Sequence, residues 1–224
     1  MRIASTDETD VVGFVLAGGQ STRMGRDKAL LPLAGRPLIA HALSILREAG
    51  LPARIAGAAP NANSALADYA PVVEDPQTGL GPLAGICAAL GAAGARCSVF
   101  LPVDLPLMPS SLIAYLLHHA RITGHAVTVP SLNGSSQTFP AVLEQCVLPA
   151  LQSELRTGKR GCVSAFQAAS KGLGQPLTGV GVELLTQSGQ VAHTFGLPPH
   201  RWFLNVNTPR DLDRAEALVA HHIA

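Results

Sequence analysis

The sequence has few charged residues and few aromatic ones. Only 14% of its 224 residues are charged and 4% are aromatic, whereas about 25% charged residues are usual in globular proteins. Sixteen basic against fifteen acidic residues leave a net charge of +1. This excludes the broad basic surface with which proteins bind duplex nucleic acid or an anionic membrane. We therefore expect no nucleic acid and no membrane among its partners, and any phosphate chemistry must depend on a few placed cations.

Cysteine pairs and long apolar runs are also lacking. The four cysteines are Cys87, Cys97, Cys146 and Cys162. No two are close enough for a zinc pattern, and nothing suggests a disulfide framework, so we expect buried thiols in a reducing cytoplasm. The longest stretch without strongly polar side chains, residues 79–95, is shorter than the roughly 20 bulky apolar residues of a membrane helix. Residues 1–10 lack the apolar core of a secretory signal and are expected to be flexible.

What the sequence does have is an apolar fraction of 47%, enough to bury the core of one domain. Apolar, β-branched runs alternate with segments of helical period, which predicts an α/β fold with a mostly parallel, twisted sheet flanked by helices. The predicted strands are residues 11–17, 53–57, 71–74, 98–103, 126–130, 138–143 and 201–206. The predicted helices are residues 37–49, 82–90, 110–121, 147–155, 161–169 and 209–222, and residues 172–189 are ambiguous. We expect a single domain over residues 11–224.

Polar and glycine residues follow four of the predicted strands, after residues 17, 74, 103 and 206, where ligands bind in such sheets. The first strand continues into LAGGQSTRMGRDK, residues 16–28. Gly18 and Gly19 permit close backbone approach and can point N–H groups at an anion, while Arg23 and Lys28 add cations. Asp104 follows the strand at 98–103, where a carboxylate can hold Mg²⁺ against a triphosphate. The alternative for Asp104 alone is a role in a proline-rigid turn.

Three further segments allow more than one interpretation. Asp75 can accept hydrogen bonds from a base or ribose, or can cap a turn. The small residues of Gly81–Gly85 leave room for a flat base or for close helix–sheet packing. Asn205 and Asn207 alternate along the predicted last strand and so face opposite sides, and Thr208 begins a capping box at the next helix.

Together these segments closely resemble the signature of the molybdenum cofactor guanylyltransferase family, and more widely that of nucleotidyltransferases that activate sugar phosphates. The matching segments are residues 16–41, 73–75, 81–86, 101–106, 139–140, 155–160 and 203–209. The resemblance spans roughly residues 11–220. It implies a Rossmann-like nucleotidyltransferase fold, Mg²⁺ as cofactor, and transfer of GMP from GTP to the terminal phosphate of molybdopterin or the molybdenum cofactor, with release of pyrophosphate. Cofactor-handover proteins and molybdoenzymes are the further partners it implies.

The resemblance also assigns roles to residues. The implied catalytic residues are Arg23, Lys28 and Asp104. The implied nucleotide-binding residues are Leu16, Ala17, Gly18, Gly19, Lys28, Asp75, Gly81 and Asp104. The implied metal ligands are Asp104 and Asn207, and for Asn207 local capping is the alternative.

Other readings of the sequence remain open. One is transfer of CMP to molybdopterin, or of a nucleotide to a sugar or alditol phosphate. Gly18 and Gly81–Gly85 favour GTP as the substrate. In cytidylyltransferase relatives the sequence at residues 16–19 is usually LAAG, and the segment that corresponds to residues 81–85 differs. Ala56, however, stands where bacterial guanylyltransferases often carry Asn, and Asn61 or Asn63 would have to replace it. A non-catalytic nucleotide sensor on the same scaffold is disfavoured by the intact cations and Asp104.

Overall fold

The elements of the fold are taken from a computed structural model, which describes residues 10–18, 27–58, 63–75, 80–177 and 179–220. The strands in these residues are β1 Val11–Leu16, β2 Pro32–Leu33, β3 Arg36–Pro37, β4 Ala53–Ala56, β5 Val72–Val73, β6 Cys97–Pro102, β7 Val127–Leu132, β8 Ser135–Ser136, β9 Ala141–Glu144 and β10 Gly179–Gly181. The helices are α1 Leu38–Glu48, α2 Asn63–Ala67, α3 Pro82–Ala93, α4 Ser110–Thr123, α5 Leu148–Arg156, α6 Cys162–Gly172, α7 Val182–Gln187, α8 Pro199–Trp202 and α9 Pro209–Ala220. None of the helices in these ranges is long and apolar enough to cross a membrane.

Strand β1 occupies the middle of an eight-stranded sheet of order β10-β7-β9-β6-β1-β4-β5, with β8 paired to β7. β1 runs parallel to β4 and β6, and the pairs β4–β5 and β7–β10 are also parallel. β9 is antiparallel to both β6 and β7. The predicted α/β fold with a mostly parallel sheet flanked by helices is confirmed. Because the chain leaves β1 toward β4 on one side and returns to β6 on the other, the carboxyl end of β1 lies where ligands bind in open α/β sheets.

The core lies on both faces of this sheet. All six residues of β1 are buried, which explains why the strand reads as an unbroken apolar run. Val11 and Val15 pack in one cluster, and Val12, Phe14 and Leu16 pack in the other. Phe14 stacks on Phe100 of β6 with ring centroids 5.5 Å apart. Burial of each such side chain stabilises the fold by about 1.5–3 kcal/mol. The end of β1, where the polar residues begin, is therefore fixed in position.

The prediction of a last strand at residues 201–206 is wrong. Residues 199–202 form the short helix α8, and residues 203–207 run past Asp104 without joining the sheet. Pro198 and Pro199 favour a helix start. Trp202 is fully buried, and its Nε1 donates to the carbonyl oxygen of Leu197 at 2.6 Å. Burial of the indole therefore decides the local structure, and Asn205 and Asn207 lie on an irregular segment instead of alternating along a strand.

Smaller differences concern boundaries. β9 begins at Ala141, three residues later than predicted, after Pro140, which cannot donate to a strand ladder. The ambiguous residues 172–189 contain the end of α6, β10 and α7. Residues 1–9 of the predicted flexible N-terminus lie outside the described residues, and so do residues 221–224.

The cysteines follow the prediction with one exception. Three are buried, and burial raises the pKa of Cys87 to about 11 and the pKa values of Cys97 and Cys162 to about 12. These thiols are therefore protonated at neutral pH and act as small apolar residues. Cys146 is exposed, because it lies in the turn between β9 and α5 and not in either element.

Candidate active site

The ends of three neighbouring strands lie level at one edge of the sheet. Leu16 is in register with Ala56 of β4 and with Pro102 of β6. Backbone hydrogen bonds continue one step further, from Ala17 N to Ala56 O at 2.9 Å and from Val103 N to Leu16 O at 3.0 Å. The residues that follow these strands, Gly18 and Asp104 among them, therefore lie side by side at this edge.

At this edge Lys28, Asp104 and Asn207 meet. Lys28 Nζ lies 2.9 Å from Asp104 Oδ2 and 2.7 Å from Asn207 Oδ1. The side chains of the ion pair are only 17% and 23% exposed, so the charges attract each other more strongly than they would on an open surface. The resemblance named all three residues, and the structure brings them together.

Each of these residues is held by its own local structure. Lys28 begins a short 3₁₀ turn in which the Asp27 carboxylate accepts from the N–H of Ala29 at 3.0 Å, while Ala29 is fully buried. The turn packs beside α1, whose His41 donates Nε2–H to the carbonyl of Leu33 at 2.8 Å. Desolvation by burial lowers the pKa of His41, which favours the neutral ring. His41 thus serves the local structure.

Asn207 is fixed from both sides. Its neighbour Val206 donates its N–H to the carbonyl oxygen of Asp104 at 2.9 Å. The carboxylate of Asp211 accepts from the N–H groups of Asn207 and Thr208 at 3.2 and 2.9 Å and from the Thr208 hydroxyl at 2.8 Å. The Thr208 hydroxyl in turn accepts from the N–H of Asp211 at 3.2 Å, which confirms the predicted capping box. The hydroxyl contact, together with the two N–H groups, lowers the pKa of Asp211.

Three glycines pack backbone against backbone beside this cluster. A Cβ at Gly18 would lie 2.2 Å from the carbonyl oxygen of Gly57, and a Cβ at Gly85 would lie 2.9 Å from the Gly57 Cα. Gly57 itself has a φ of +72°. Close packing of β1, β4 and α3 therefore requires glycine at positions 18 and 85. This is the alternative of close helix–sheet packing that the sequence left open for Gly81–Gly85.

The cluster stands in a cleft of about 1060 Å³. Leu16, Ala17, Gly18 and Pro82 line one end of it. The other end is lined by residues of the 137–139 loop, by Arg160 and the first turns of α6, and by Phe203 and Asn205. Lys28, Asp104 and Asn207 are themselves among the lining residues of this cleft.

Residue-by-residue reasoning missed this second end. Its polar side chains are Gln137, Arg160, Ser164, Gln167 and Asn205. Within the described residues Arg160 makes no ion pair, so it brings an uncompensated positive charge to the cleft. The resemblance covered the segments around Phe139 and Arg160 but gave neither a role. The spacing of polar residues along α6 was the available indication.

Other predicted site residues lie elsewhere. Asp75 lines a second, smaller cleft of about 500 Å³ between α3 and α5, together with Cys87 and Arg156. Gly81 precedes α3 with a φ of +84° and lies next to the cleft residue Pro82. Gly19 and Arg23 lie outside the described residues. The roles assigned to these four residues stay predictions.

Ala56 is not among the residues that line the cleft. Its side chain is fully buried in the cluster that contains Phe14 and Leu83. Of the two asparagines proposed in its place, Asn61 lies outside the described residues and Asn63 begins α2. The base contact expected at this position is therefore not supplied by residue 56.

The donor set beside Asp104 suits a hard divalent cation. The ammonium of Lys28 contacts one carboxylate oxygen and one amide oxygen, so two oxygen ligands already converge on a positive charge. Within the described ranges, no group of three or more His, Cys, Asp or Glu side chains could hold a metal ion. One carboxylate oxygen and one amide oxygen would suit Mg²⁺, which typically takes one or two protein oxygens and keeps water and phosphate oxygens.

Solved structures of other proteins share this fold. The chain superimposes on a molybdopterin-guanine dinucleotide biosynthesis protein A from Archaeoglobus fulgidus with a TM-score of 0.75 and 22% identity, over 94% of this chain and 99% of that one. It also superimposes on 2-C-methyl-D-erythritol 4-phosphate cytidylyltransferase from Thermus thermophilus with a TM-score of 0.62 and 20% identity, over 92% and 98% of the two chains. The chain therefore has the same fold as these two proteins, with the cleft at the expected sheet edge.

Sequence comparisons then give the family. The MobA-like NTP transferase domain matches residues 13–173. A molybdenum cofactor guanylyltransferase of Rhodobacter capsulatus is 34% identical over 92% of this chain and 95% of its own length, and one of Sinorhizobium fredii is 33% identical over 95% and 93%. The chain belongs to the family of MobA-like NTP transferases, as the resemblance indicated.

Proposed function

We propose that this protein transfers GMP from GTP to the terminal phosphate of molybdopterin and releases pyrophosphate. The observation that carries the proposal is the Lys28–Asp104–Asn207 cluster, which lies in a cleft lined by both the end of β1 and the start of α6. The sequence relatives named as guanylyltransferases support the choice of donor and acceptor. Supply of the product to handover proteins and molybdoenzymes belongs to the same proposal.

The nucleotide occupies the end formed by residues 16–18 and Pro82. There the triphosphate lies against the backbone after β1 and within reach of the Lys28 ammonium, which has three N–H donors and shares two of them with Asp104 and Asn207. Asp104 keeps this ammonium at the level of the strand ends. Lys28 thereby stabilises the negative charge that develops as pyrophosphate departs.

The acceptor occupies the other end, with its phosphate toward Arg160. A phosphate monoester has a second pKa near 6 and is largely ionised at neutral pH, so its oxygen can attack the α-phosphorus without a general base. One P–O bond forms to the acceptor, and the bond between the α-phosphorus and the pyrophosphate oxygen breaks. The protein's task is to bring two repelling anions into line, and Arg160 and Lys28 approach them from opposite ends of the cleft.

Asp104 and Asn207 would hold Mg²⁺ when the nucleotide binds. The ion would neutralise phosphate charge as a Lewis acid. The ammonium of Lys28 would then exchange part of its contact with Asp104 for contact with the triphosphate.

The test measures pyrophosphate release with GTP, CTP and ATP, with and without molybdopterin. We expect release only with acceptor, and a kcat/KM for GTP at least tenfold above those of CTP and ATP, which needs about 1.4 kcal/mol of differential binding. Acceptors in the protein left unpaired by the wrong base would supply this difference. Equal or better use of CTP would overturn the guanylyl assignment and support the cytidylyl alternative, to which the alanine at position 56 points.

A further inference from the structure

Helix α6 packs one side against the core and turns the other to the cleft. Its buried residues are Cys162, Ala165, Phe166, Ala169 and Ser170. Its cleft side carries Val163, Ser164 and Gln167, and Arg160 precedes the helix on the same wall. Because 3.6 residues complete a turn, spacings of three and four residues place these side chains in one row.

Two members of this row are not used by the fold. Val163 is 46% exposed although it is a branched apolar residue. The carboxamide of Gln167 makes no hydrogen bond to any residue that the structure describes. By contrast, the Ser164 hydroxyl donates to the carbonyl of Gly161 at 3.0 Å, and Gln137 Nε2 donates to the carbonyl of Ser135 at 3.2 Å.

We propose that Gln167 recognises the ring end of the acceptor and so determines acceptor specificity. Its carboxamide hydrogen-bonds the aminopyrimidinone edge of a pterin whose phosphate lies toward Arg160, and Val163 contacts the ring system between them. This inference rests on the proposed function, because the acceptor is defined there.

The dimensions and the chemistry of the row agree with such a ligand. From Cys162 to Gln167 the helix rises about 7.5 Å, and the extended Gly161 lengthens the row toward Arg160. A phosphorylated pterin carries a dianion at one end, flat rings in the middle, and adjacent donor and acceptor groups at the other end. A cation, an apolar side chain and a carboxamide match these in order, since a carboxamide offers both N–H donors and an oxygen acceptor.

The experiment compares wild type with Gln167→Met, which keeps the length of the side chain and removes its hydrogen bonds, and with Gln167→Ala. Gln187→Ala, at an exposed position on α7 outside the cleft, is the matched control. The probe is 6-hydroxymethylpterin phosphate, whose binding is followed by pterin fluorescence. Phenyl phosphate, which lacks the aminopyrimidinone edge, is the second probe and is followed by competition.

We expect both Gln167 variants to weaken binding of the pterin phosphate at least tenfold and to leave binding of phenyl phosphate unchanged. In turnover assays the KM for molybdopterin should rise at least tenfold, whereas the KM for GTP stays constant. Unchanged pterin binding in Gln167→Met, or an equal loss for both probes, would overturn the inference. Absence of GMP transfer by the wild type would instead overturn the proposed function, and the two failures are thus separate.

Discussion

Replacing Gly18 by alanine tests whether the first glycine after β1 is required for packing. A Cβ at this position would lie 2.2 Å from the carbonyl oxygen of Gly57, whereas ordinary contacts lie at 3.4–4 Å. The clash is with backbone, and Gly57 is also in contact with Gly85, so the turn after β4 must move by about 1 Å. Overpacking of this kind lowers the free energy of unfolding by about 1–3 kcal/mol.

The magnitude can be read from thermal unfolding. For a chain of this length each kcal/mol shifts the Tm by about 2–4 °C, so Gly18→Ala should lower the Tm by roughly 2–12 °C. Gly91→Ala is the matched control, because that glycine lies within α3 and an added Cβ meets nothing within 4 Å. Alanine favours a helix interior by about 0.5–1 kcal/mol, so this control should raise the Tm. An unchanged Tm in Gly18→Ala would refute the packing argument.

Three further predictions concern the cluster and its cap. Lys28→Ala should lower turnover at saturating GTP at least 10²-fold, the usual effect of removing one preorganised donor. Lys171→Ala, which replaces an exposed lysine on α6, should leave turnover unchanged. Equal kcat values for the two variants would exclude a catalytic role of Lys28. Asp104→Ala should fold, as circular dichroism would confirm, but lose Mg²⁺-dependent turnover; full activity with Mg²⁺ would contradict the metal assignment. The pKa of Asp211 lies below its ordinary value of 3.8, so its cap stabilises α9 above that pH and the stabilisation is lost as pH falls through the lowered pKa. NMR titration of its carboxyl should show a higher pKa in Thr208→Ala than in wild type; equal values would contradict this.

The centre of the fold could be predicted because its patterns are local. β1 has the unbroken apolar run of a buried strand, α1 has a helical period that ends before Gly50, and α3 begins with Pro82 at its first position. The segment at 199–207 could not be predicted in this way, because its conformation depends on where Trp202 is buried. That burial is a tertiary contact, stacked against His193, and a strand-like alternation of apolar residues does not reveal it.

For the candidate site, Asp104 was singled out by its place after a strand, whereas Asn207 was named through the resemblance and does not follow a strand. Lys28, Asp104 and Asn207 were each named, but only the structure shows that a single ammonium joins the other two side chains. The part of the cleft lined by Gln137 and Gln167 was missed, because these residues lie on a loop and a helix that come together only after folding. Their residue types carry no reactive chemistry that would single them out in a sequence.

The hydrogen bond between Lys28 and Asn207 joins residues 179 positions apart, and this has a consequence for the order of assembly. During synthesis the strands around β1 can pair as soon as residues 97–102 are available, but the cluster needs a segment from the last tenth of the chain. Closing a loop of this length costs chain entropy, and local contacts do not offset that cost. A nascent or truncated chain that ends before residue 203 would therefore contain most of its sheet and no complete cluster, so incomplete copies would not compete with finished enzyme for turnover.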